Sequence, residues 1–341
     1  MKDSKSLILQ KYSGDLQLAL KVCPAPEKNE VQVKMMCATI HPSDIQFIKG
    51  FYGYPRPEIL PITPGFEGSG EIVAVGPNVD KSLIGKRVCL GPEMNKKSNE
   101  TFNGIWTQYF NSKLRNVLIF PDNIPYETIC FAMLNPMTAM GFLYTVKKHN
   151  SSAVIQNGGS SAFAKMFARL CKKEGIEVIN LVRNPSQIET LNKEGSKYVI
   201  STSEKTWQKD LWKLANKLNA KVCFDCVGGE MTGRLLFALP DESIMYHFGN
   251  LELKRISGID SSELLFKKKE LRGWWMPNWL REAGVEHLIK CRAFIVEEFK
   301  KSDNVFKTNF SKEFSLEDFD KALDYYSKNM SEGKVIMRPN F

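Results

Sequence analysis

The stretch AVIQNGGSSAFAKMFARLCKKEGIEVINLVR, residues 153–183, decides the fold of this 341-residue chain. An apolar strand, AVIQN, is followed by a glycine-containing turn, an amphipathic helix that ends at Gly175, and a second apolar strand, EVINLVR. The same alternation continues through YVIST and KVCFDCVG, which are strands separated by helical segments. Alternation of this kind predicts a parallel sheet with helices on both faces, so we expect an α/β, doubly wound Rossmann fold.

Both ends of the chain differ in character from this central part. Short β segments separated by turn residues, such as GSGEIVAV and GKRVCLG, fill roughly the first 120 residues. The end of the chain contains more helix and finishes in the strand-like GKVIMRP. We therefore expect a dinucleotide-binding Rossmann domain at residues 122–284, inserted into a β-rich catalytic domain made of residues 1–121 and 285–341.

The composition narrows the function classes. The formal net charge is +9, which fits either a solvated basic surface or an anionic partner such as a phosphate-rich cofactor, a coenzyme A thioester or an acidic carrier protein. Since no long basic stripe carries interleaved aromatic residues, we expect no nucleic acid partner. No uninterrupted apolar run reaches the ~18 residues that cross a bilayer, so we expect no transmembrane segment. The eight cysteines lie scattered in apolar surroundings and are expected to be buried free thiols.

The turn after the first central strand, NGGSSAFA, is a candidate pyrophosphate site. Gly158, Ser161 and Ala164 occupy the three positions where such turns need small residues, although Ala162 stands where glycine is common. The pattern alone also fits an ordinary tight turn, and its place after the first strand of the alternating run favours a dinucleotide.

The end of the second central strand suggests which dinucleotide is bound. An NAD site normally has Asp or Glu there for the ribose hydroxyls, whereas this chain has Val182 and Arg183. A guanidinium group can hold a 2′-phosphate through two hydrogen bonds. The sequence therefore predicts NADPH rather than NADH, with a solvated surface arginine as the alternative.

Several segments in sequence order carry a family resemblance: HPSDIQFIKGFYG, PGFEGSGEIVAVG, NPMTAM, VIQNGGSSAFA, FDCVGG, LRGWWMPNWL and EGKVIMRP. Together they resemble the zinc-free, quinone oxidoreductase-like part of the medium-chain dehydrogenase/reductase superfamily. Within it they are most similar to the trans-2-enoyl-CoA and acyl-carrier-protein reductases of mitochondrial fatty acid synthesis. The resemblance implies a GroES-like catalytic domain, NADPH as cofactor, a homodimer and a mitochondrial location. A cytoplasmic location is the alternative, because MKDSKSLILQKY lacks an Arg- and Ser-rich leader.

The resemblance also implies roles for individual residues. Tyr52 matches the proton donor of these reductases, and a phenol can donate a proton or polarise a carbonyl oxygen without carrying charge at neutral pH. The residues that match cofactor contacts are Asn135, Ser160, Ser161, Ala162, Phe163, Arg183, Asn184, Phe248, Gly249, Asn250, Trp274, Trp275, Met276 and Lys334.

No metal site is expected. Where zinc-dependent members of the superfamily carry a cysteine and a histidine ligand, this chain has Pro42 or Ser43 and Phe66. Cys223 and Cys226 form a C-x-x-C, but strand alternation directs the two side chains away from a common point. The four histidines form no spaced ligand set.

Three functions remain open at this stage. The first is reduction of the C=C bond of a trans-2-enoyl thioester of coenzyme A or acyl carrier protein. The second is an NADPH reductase of quinones or reactive enals. The third is a non-catalytic subunit that keeps the reductase fold within a larger, for example mitochondrial, assembly. The third is kept because Ala162 and Asn250 depart from the residues common in relatives and are expected to weaken cofactor binding.

Replacing Arg183 tests the cofactor preference. Arg183→Ala should narrow the gap between NADPH and NADH, because it removes the cation expected to hold the 2′-phosphate. Arg183→Lys should give an intermediate ratio, since lysine keeps the charge but lacks the two-pronged donor geometry. The measurement is the ratio of kcat/KM for the two cofactors, and an unchanged ratio in Arg183→Ala would remove Arg183 from the phosphate site.

Overall fold

The computed structural model of the chain describes residues 1–52, 60–94, 102–330 and 332–340. They form two compact units, one made of residues 1–136 and 292–341 and the other of residues 137–291. The boundaries between the two units fall within the helices Leu134–Lys148 and Val285–Phe299. The domain bounds predicted from the sequence, 122 and 284, lie before these helices. The sequence changes character near Pro125, but the backbone of Met133 and Leu134 is hydrogen-bonded to Glu67 of the first unit.

The elements are numbered in chain order. The strands are β1 (Lys2–Lys11), β2 (Asp15–Cys23), β3 (Glu30–Thr39), β4 (Gly68–Val75), β5 (Arg87–Leu90), β6 (Glu93–Met94), β7 (Phe102–Asn103), β8 (Tyr109–Lys113), β9 (Leu118–Phe120), β10 (Ala153–Gln156), β11 (Glu177–Val182), β12 (Tyr198–Ser201), β13 (Val222–Asp225), β14 (Ile244–His247), β15 (Glu270–Gly273), β16 (Phe310–Ser315) and β17 (Lys334–Arg338). The α-helices are α1 (Pro42–Ile48), α2 (Tyr126–Ile129), α3 (Leu134–Lys148), α4 (Ala162–Lys173), α5 (Ser186–Lys193), α6 (Trp207–Leu218), α7 (Gly229–Ala238), α8 (Ser261–Leu265), α9 (Met276–Glu282), α10 (Val285–Phe299) and α11 (Phe319–Lys328).

The first unit is β-rich, as the turn-punctuated sequence predicts. Its main sheet has seven strands in the order β16-β17-β3-β4-β5-β9, with β8 paired to β3. The pairs are antiparallel except for β16 and β17, which run parallel. Strands β1 and β2 form a separate antiparallel pair. The core of this unit gathers Val31, Val33 and Met35 of β3, all fully buried.

Two glycines in GFEGSGEIVAVG allow β3 and β4 to approach closely. A Cβ atom on Gly70 would lie 2.2 Å from the Lys34 carbonyl oxygen, and one on Gly68 would lie 2.5 Å from the Cys37 carbonyl oxygen. No side chain fits at such distances without moving the backbone. The motif is therefore explained by strand pairing, and it places Glu67 immediately before β4.

The second unit is the predicted Rossmann sheet. Its six strands follow the order β12-β11-β10-β13-β14-β15, and all neighbours are parallel. After β10 the chain passes to β11 on one side of β10 and later returns to β13 on the other side. The carboxyl ends of β10 and β13 therefore form a topological switch point, the place where open α/β sheets bind ligands. The α/β, doubly wound prediction is confirmed for this unit.

One apolar segment is longer than the sequence analysis expected. Tyr126–Lys148, 23 residues that contain an 18-residue window with mean hydropathy 1.4, is long and apolar enough to cross a membrane by length and composition. Counting uninterrupted apolar residues misses it, because polar residues such as Asn135 and Thr138 interrupt the run. In its most apolar stretch 67% of the residues are buried inside the protein, which is typical of a core helix.

The carboxylate of Asp225, the last residue of β13, is hydrogen-bonded to residues that follow or end neighbouring strands of the second sheet. It is fully buried and accepts hydrogen bonds from Asn157 Nδ2 after β10 and from Thr232 Oγ1 in α7, the latter at 2.6 Å. Its Oδ2 atom also lies 2.9 Å from His247 Nδ1 at the end of β14. Burial alone would raise the pKa of this carboxyl group, but these hydrogen bonds hold the pKa below its ordinary value. Asp225 is therefore ionised at neutral pH and acts as a shared acceptor.

Asp225→Asn should destabilise the protein at neutral pH by about 2 to 4 kcal/mol, the cost of losing one or two hydrogen bonds to a buried charge. Because the folded pKa is depressed, the stabilisation by Asp225 is present above the carboxyl pKa of the unfolded chain, about 4, and is lost as pH falls through the lower folded pKa. The difference in the free energy of unfolding between wild type and variant should therefore become smaller in acid. Urea unfolding at several pH values measures it.

The matched control is Asp241→Asn, at an exposed aspartate of the same unit, which should change the free energy of unfolding by less than about 0.5 kcal/mol. Equal effects of the two substitutions at pH 7 would contradict the role of Asp225 as a structural hub.

Candidate active site

The predicted phosphate turn joins β10 to α4 and has the close packing that such a turn requires. Gly158 has a φ of +62°, a conformation that favours glycine. A Cβ atom on Gly159 would lie 2.9 Å from the Cβ of Asn180, so the turn is pressed against β11. Ser161 caps α4, its Oγ accepting a hydrogen bond from the Ala164 amide at 3.1 Å. The positive end of α4 therefore lies at the carboxyl edge of the sheet, with Ala162 and Phe163 in its first turn.

A side chain that sequence reasoning missed links this turn to the end of β11. Gln187 Nε2 donates to Ser160 Oγ at 2.8 Å, and Gln187 Oε1 accepts from the Asn184 amide at 3.2 Å. Asn184 Oδ1 in turn accepts from the Ser186 amide. The signal was present in the sequence, because Asn followed three residues later by Gln is the pattern of a helix-capping box. Ser160 and Asn184, two predicted cofactor contacts, are thus held together.

Arg183 lies beside this link, at the end of β11. Its side chain is exposed, and within the part of the chain that the structure describes its guanidinium group has no ion-pair partner. An unpaired guanidinium group next to a helix N-terminus is chemically suited to a phosphate monoester. The residues present at this turn therefore fit a phosphorylated dinucleotide.

Three other predicted contacts meet around one aromatic ring of α3. Phe248 and Trp274 each lie 4.7 Å from the ring centre of Phe142, and Phe163 lies 5.2 Å from it. Phe142 also stacks on Phe224 of β13 at 3.7 Å. The Trp274 indole nitrogen donates to Thr145 Oγ1 at 3.2 Å, which fixes the plane of that ring. Sequence reasoning did not select Phe142, because an apolar residue in a buried helix carries no pattern that separates a site wall from ordinary core.

The loop after β14 holds Gly249 and Asn250 against the turn that follows β13. The Gly249 Cα approaches that turn so closely that a Cβ would lie 3.3 Å from the Cys226 carbonyl oxygen. Asn250 Oδ1 accepts a hydrogen bond from the Lys254 amide at 3.2 Å, so the asparagine shapes its own loop.

Trp275 and Met276 belong to the start of α9 in the same unit. Trp275 is the N-cap residue of this helix, and Met276 Sδ accepts a hydrogen bond from Thr138 Oγ1 at 3.8 Å. In the residues described, all predicted contacts between Ser160 and Met276 thus belong to the segments that follow β10, β11, β14 and β15.

Tyr52, the predicted proton donor, belongs to the first unit and is half-buried. Its ring contacts Phe66 edge to face, with the ring centres 5.1 Å apart. Gly53, which completes the IKGFYG motif, lies outside the residues that the structure describes. Phe66 precedes Glu67, so the residue found in place of a zinc-binding histidine packs against the predicted proton donor.

A buried group of charged side chains adjoins Phe66. Glu67 Oε1 accepts hydrogen bonds from the amides of Met133 and Leu134 at 2.6 and 2.7 Å, next to the predicted contact Asn135. Glu67 Oε2 lies 2.8 Å from His41 Nε2, and His41 Nδ1 lies 3.0 Å from Lys334 Nζ. The predicted cofactor contact Lys334 is thus 6% exposed and held by a histidine.

Burial and neighbouring charges set the titration of this group. Burial lowers the pKa of Lys334 to about 8, although Glu67 and Asp44 act in the opposite direction. Burial also raises the pKa of Asp44 to about 8. The pKa of His41 is lowered by burial and by the charge of Lys334, so His41 is neutral at pH 7. A neutral His41 that donates through Nε2 to Glu67 can accept through Nδ1 from Lys334, which satisfies both ring nitrogens.

Among the described residues, neither a metal-binding cluster nor the cavity between α9 and α10 coincides with the predicted site. Among the described residues, no group of three or more His, Cys, Asp or Glu side chains is placed to hold a metal ion. All eight cysteines are free, and Cys226 lies with its Sγ 3.2 Å from Asn157 Oδ1 rather than against Cys223. A cavity of about 390 Å³ lies at the turn between α9 and α10, lined by Ala283 to His287 and Lys290, and includes none of the predicted site residues.

Known protein families match residues in both units. The Alcohol dehydrogenase GroES-like domain family matches residues 27–122, and the Zinc-binding dehydrogenase family matches residues 164–291. The curated "Enoyl-[acyl-carrier-protein] reductase, mitochondrial" of Arabidopsis thaliana is 30% identical over 300 residues, which cover 86% of this chain and 76% of that protein. The protein of the same name from Xenopus tropicalis is 28% identical and covers 98% of this chain and 95% of its own length.

Solved structures agree on the architecture. A candidate NADPH:quinone reductase from Mesorhizobium loti superposes with a TM-score of 0.84 at 27% identity, covering 99% of this chain and 98% of the other. The GroES-like and Rossmann domains predicted from the sequence are therefore confirmed. The chain belongs to the medium-chain dehydrogenase/reductase superfamily of oxidoreductases.

Proposed function

We propose that this protein uses NADPH to reduce the C=C bond of trans-2-enoyl thioesters, with Tyr52 as the proton donor. One observation carries the proposal: the exposed Arg183, whose guanidinium group has no ion-pair partner among the described residues, directly precedes Asn184, and Gln187 links Asn184 to Ser160, just before the capped N-terminus of α4. This arrangement suits the 2′-phosphate and diphosphate of NADPH. The names of the relatives, mitochondrial enoyl-acyl-carrier-protein reductases, support this substrate class.

The residues proposed to hold NADPH fall into two groups. The diphosphate would be bound at the helix terminus by Ser160, Ser161, Ala162 and Phe163. The 2′-phosphate would be bound by Arg183 with Asn184. The nicotinamide half would be enclosed by Phe248, Gly249, Asn250, Trp274, Trp275 and Met276. Asn135 and Lys334 would be further contacts of the cofactor. When bound, NADPH supplies the hydride for the β-carbon of the enoyl thioester.

Tyr52 would supply the proton. Hydride addition at the β-carbon leaves an enolate whose α-carbon must be protonated. A phenol hydroxyl can first polarise the thioester carbonyl oxygen and then give up a proton without starting from a charged state. The edge-to-face contact with Phe66 limits the orientations of the Tyr52 ring, which supports such a positioned donor.

A second candidate function is reduction of quinones or reactive enals. The observation that favours it is the likeness to the Mesorhizobium loti protein at 27% identity. Both substrate classes accept hydride from NADPH, so relative turnover of crotonyl-CoA and a simple quinone decides between them.

We also infer a homodimer located in the mitochondrion. The relatives' names support the location. Strand β15 supports the dimer because it is an edge strand of the six-stranded sheet, and an unpaired strand edge can pair with a second copy. Light scattering should give a mass twice that of a single chain, and a single-chain mass would contradict the dimer.

Cofactor binding separates a reductase from a non-catalytic subunit. Titration of the protein with NADPH should quench tryptophan fluorescence with saturation in the micromolar range. Ala162→Gly should tighten binding several-fold, because removing the methyl group opens the backbone approach to the diphosphate. No quenching by the wild-type protein at high micromolar NADPH would favour the non-catalytic subunit.

Tyr52→Phe should lower kcat for NADPH-dependent reduction of crotonyl-CoA by about 10²- to 10⁴-fold, the usual contribution of a positioned proton donor. The Kd for NADPH should not change, since the phenol hydroxyl is assigned to the substrate. The matched control is Tyr12→Phe, in the same aromatic cluster through its contact with Phe47. The control should keep kcat within about twofold, and wild-type turnover in Tyr52→Phe would exclude the phenol from the reaction.

A further inference from the structure

His247, the last residue of β14, is not among the predicted cofactor contacts, and its imidazole lies at the carboxyl edge of the second sheet. Its imidazole Nδ1 lies 2.9 Å from Asp225 Oδ2, and 21% of the side chain is exposed. Within the residues that the structure describes, its second ring nitrogen, Nε2, has no hydrogen-bond partner. The sequence predicted no role for His247, because the four histidines form no spaced set of metal ligands.

Asp225 fixes which ring nitrogen carries the proton. The carboxylate is fully buried and receives further hydrogen bonds from Asn157 Nδ2, Thr232 Oγ1 and the Val227 amide. An acceptor held in this way can pair only with a donor, so Nδ1 carries a proton, and the uncharged tautomer that Asp225 selects has its lone pair on Nε2. Nε2 is then a hydrogen-bond acceptor whose direction is set by a rigid partner.

The position of His247 in the sheet indicates which part of a dinucleotide it would meet. Strands β10 to β12 lie on one side of the switch point, and β11 is directly followed by Arg183, which is assigned to the adenosine 2′-phosphate. Strand β14 lies on the other side, in the half of the sheet that takes the second nucleotide. His247 is directly followed by Phe248, and its carbonyl oxygen accepts a hydrogen bond from the Trp274 amide at 2.9 Å.

We propose that His247 is a cofactor-positioning residue whose Nε2 accepts a hydrogen bond from a donor of the nicotinamide nucleoside. The ribose hydroxyls and the carboxamide NH₂ group are the donors that this nucleoside offers. Asp225 acts through His247 by holding the imidazole tautomer and its orientation. This inference rests on the proposed function, because it requires that NADPH binds at the carboxyl edge of the second sheet.

The test compares NADPH with 2′,5′-ADP, which contains the adenosine half but no nicotinamide nucleoside. His247→Phe keeps a ring of similar size and removes the acceptor. It should weaken NADPH binding about 5- to 30-fold, the factor expected for one hydrogen bond, and leave the Kd for 2′,5′-ADP unchanged. His247→Gln should recover part of the affinity, since its amide can donate to Asp225 and accept from the ligand. Calorimetric titration measures both ligands.

Two further measurements complete the test. His149→Phe is the matched control, because His149 bonds Tyr246, the neighbour of His247, but lies between α3 and β10 at the amino edge of the sheet. It should change neither affinity. The 3-acetylpyridine analogue of NADPH lacks the carboxamide NH₂ group, so a loss that persists with the analogue assigns the ribose hydroxyls. Unchanged affinity for 2′,5′-ADP shows that the variant is folded.

The outcomes separate this inference from the proposed function. If wild-type protein binds neither NADPH nor 2′,5′-ADP, the proposed function fails. If wild type binds both and His247→Phe binds NADPH as tightly as wild type, the role of His247 alone is overturned. Equal loss of both ligands in His247→Phe would also overturn it, since that result indicates a merely structural histidine.

Discussion

The parallel pairing of β10 with β13 is the constraint on which the second unit depends. These strands are neighbours in space although β11 and β12 lie between them in the chain, so the order in which strands are added to the sheet reverses at this pair. The reversal brings Asn157 and Asp225 to adjacent strand ends. The ionised Asp225 carboxylate pairs there with the side chains of Asn157 and His247. Loss of the pairing would separate the phosphate turn from the loops after β13 and β14.

A second buried carboxylate organises the first unit. Glu67 joins the start of α3 to His41 and, through His41, to Lys334. Taking these charges out of water is costly, and the group is tolerated because each member has a partner of opposite charge or a hydrogen bond. Glu67 lies between Phe66 and β4, where Gly68 lets two strands approach closely, so close backbone packing and the charged group share one short motif.

The aromatic residues around Phe142 form the wall of the proposed nicotinamide half. Phe248 and Trp274 come from loops far apart in the sequence, and both meet the same ring of α3. Large rings with fixed contacts exclude water, which strengthens hydrogen bonds formed beside them. His247 and Trp274 are joined through their backbones at this wall, so a cofactor hydrogen bond at His247 would be made against a rigid surface.

The sequence by itself determined the Rossmann alternation, the β-rich ends and the family, and it predicted a phosphate site at the turn after β10 with Arg183. These features are local: strand and helix periods, small residues at a turn and a charged residue at a strand end can be read within a few positions of each other. The division of the chain into compact units is not local in this sense, because α3 and α10 begin in one unit and end in the other.

Only the tertiary structure decided which residues distant in the chain become partners. His41 and Lys334 are 293 positions apart, and His247 and Asp225 belong to different strands, so no spacing rule relates them. Whether a histidine is an isolated surface group or a positioned acceptor depends on the fixed neighbour at its other ring nitrogen, and chain folding, not local sequence, supplies that neighbour.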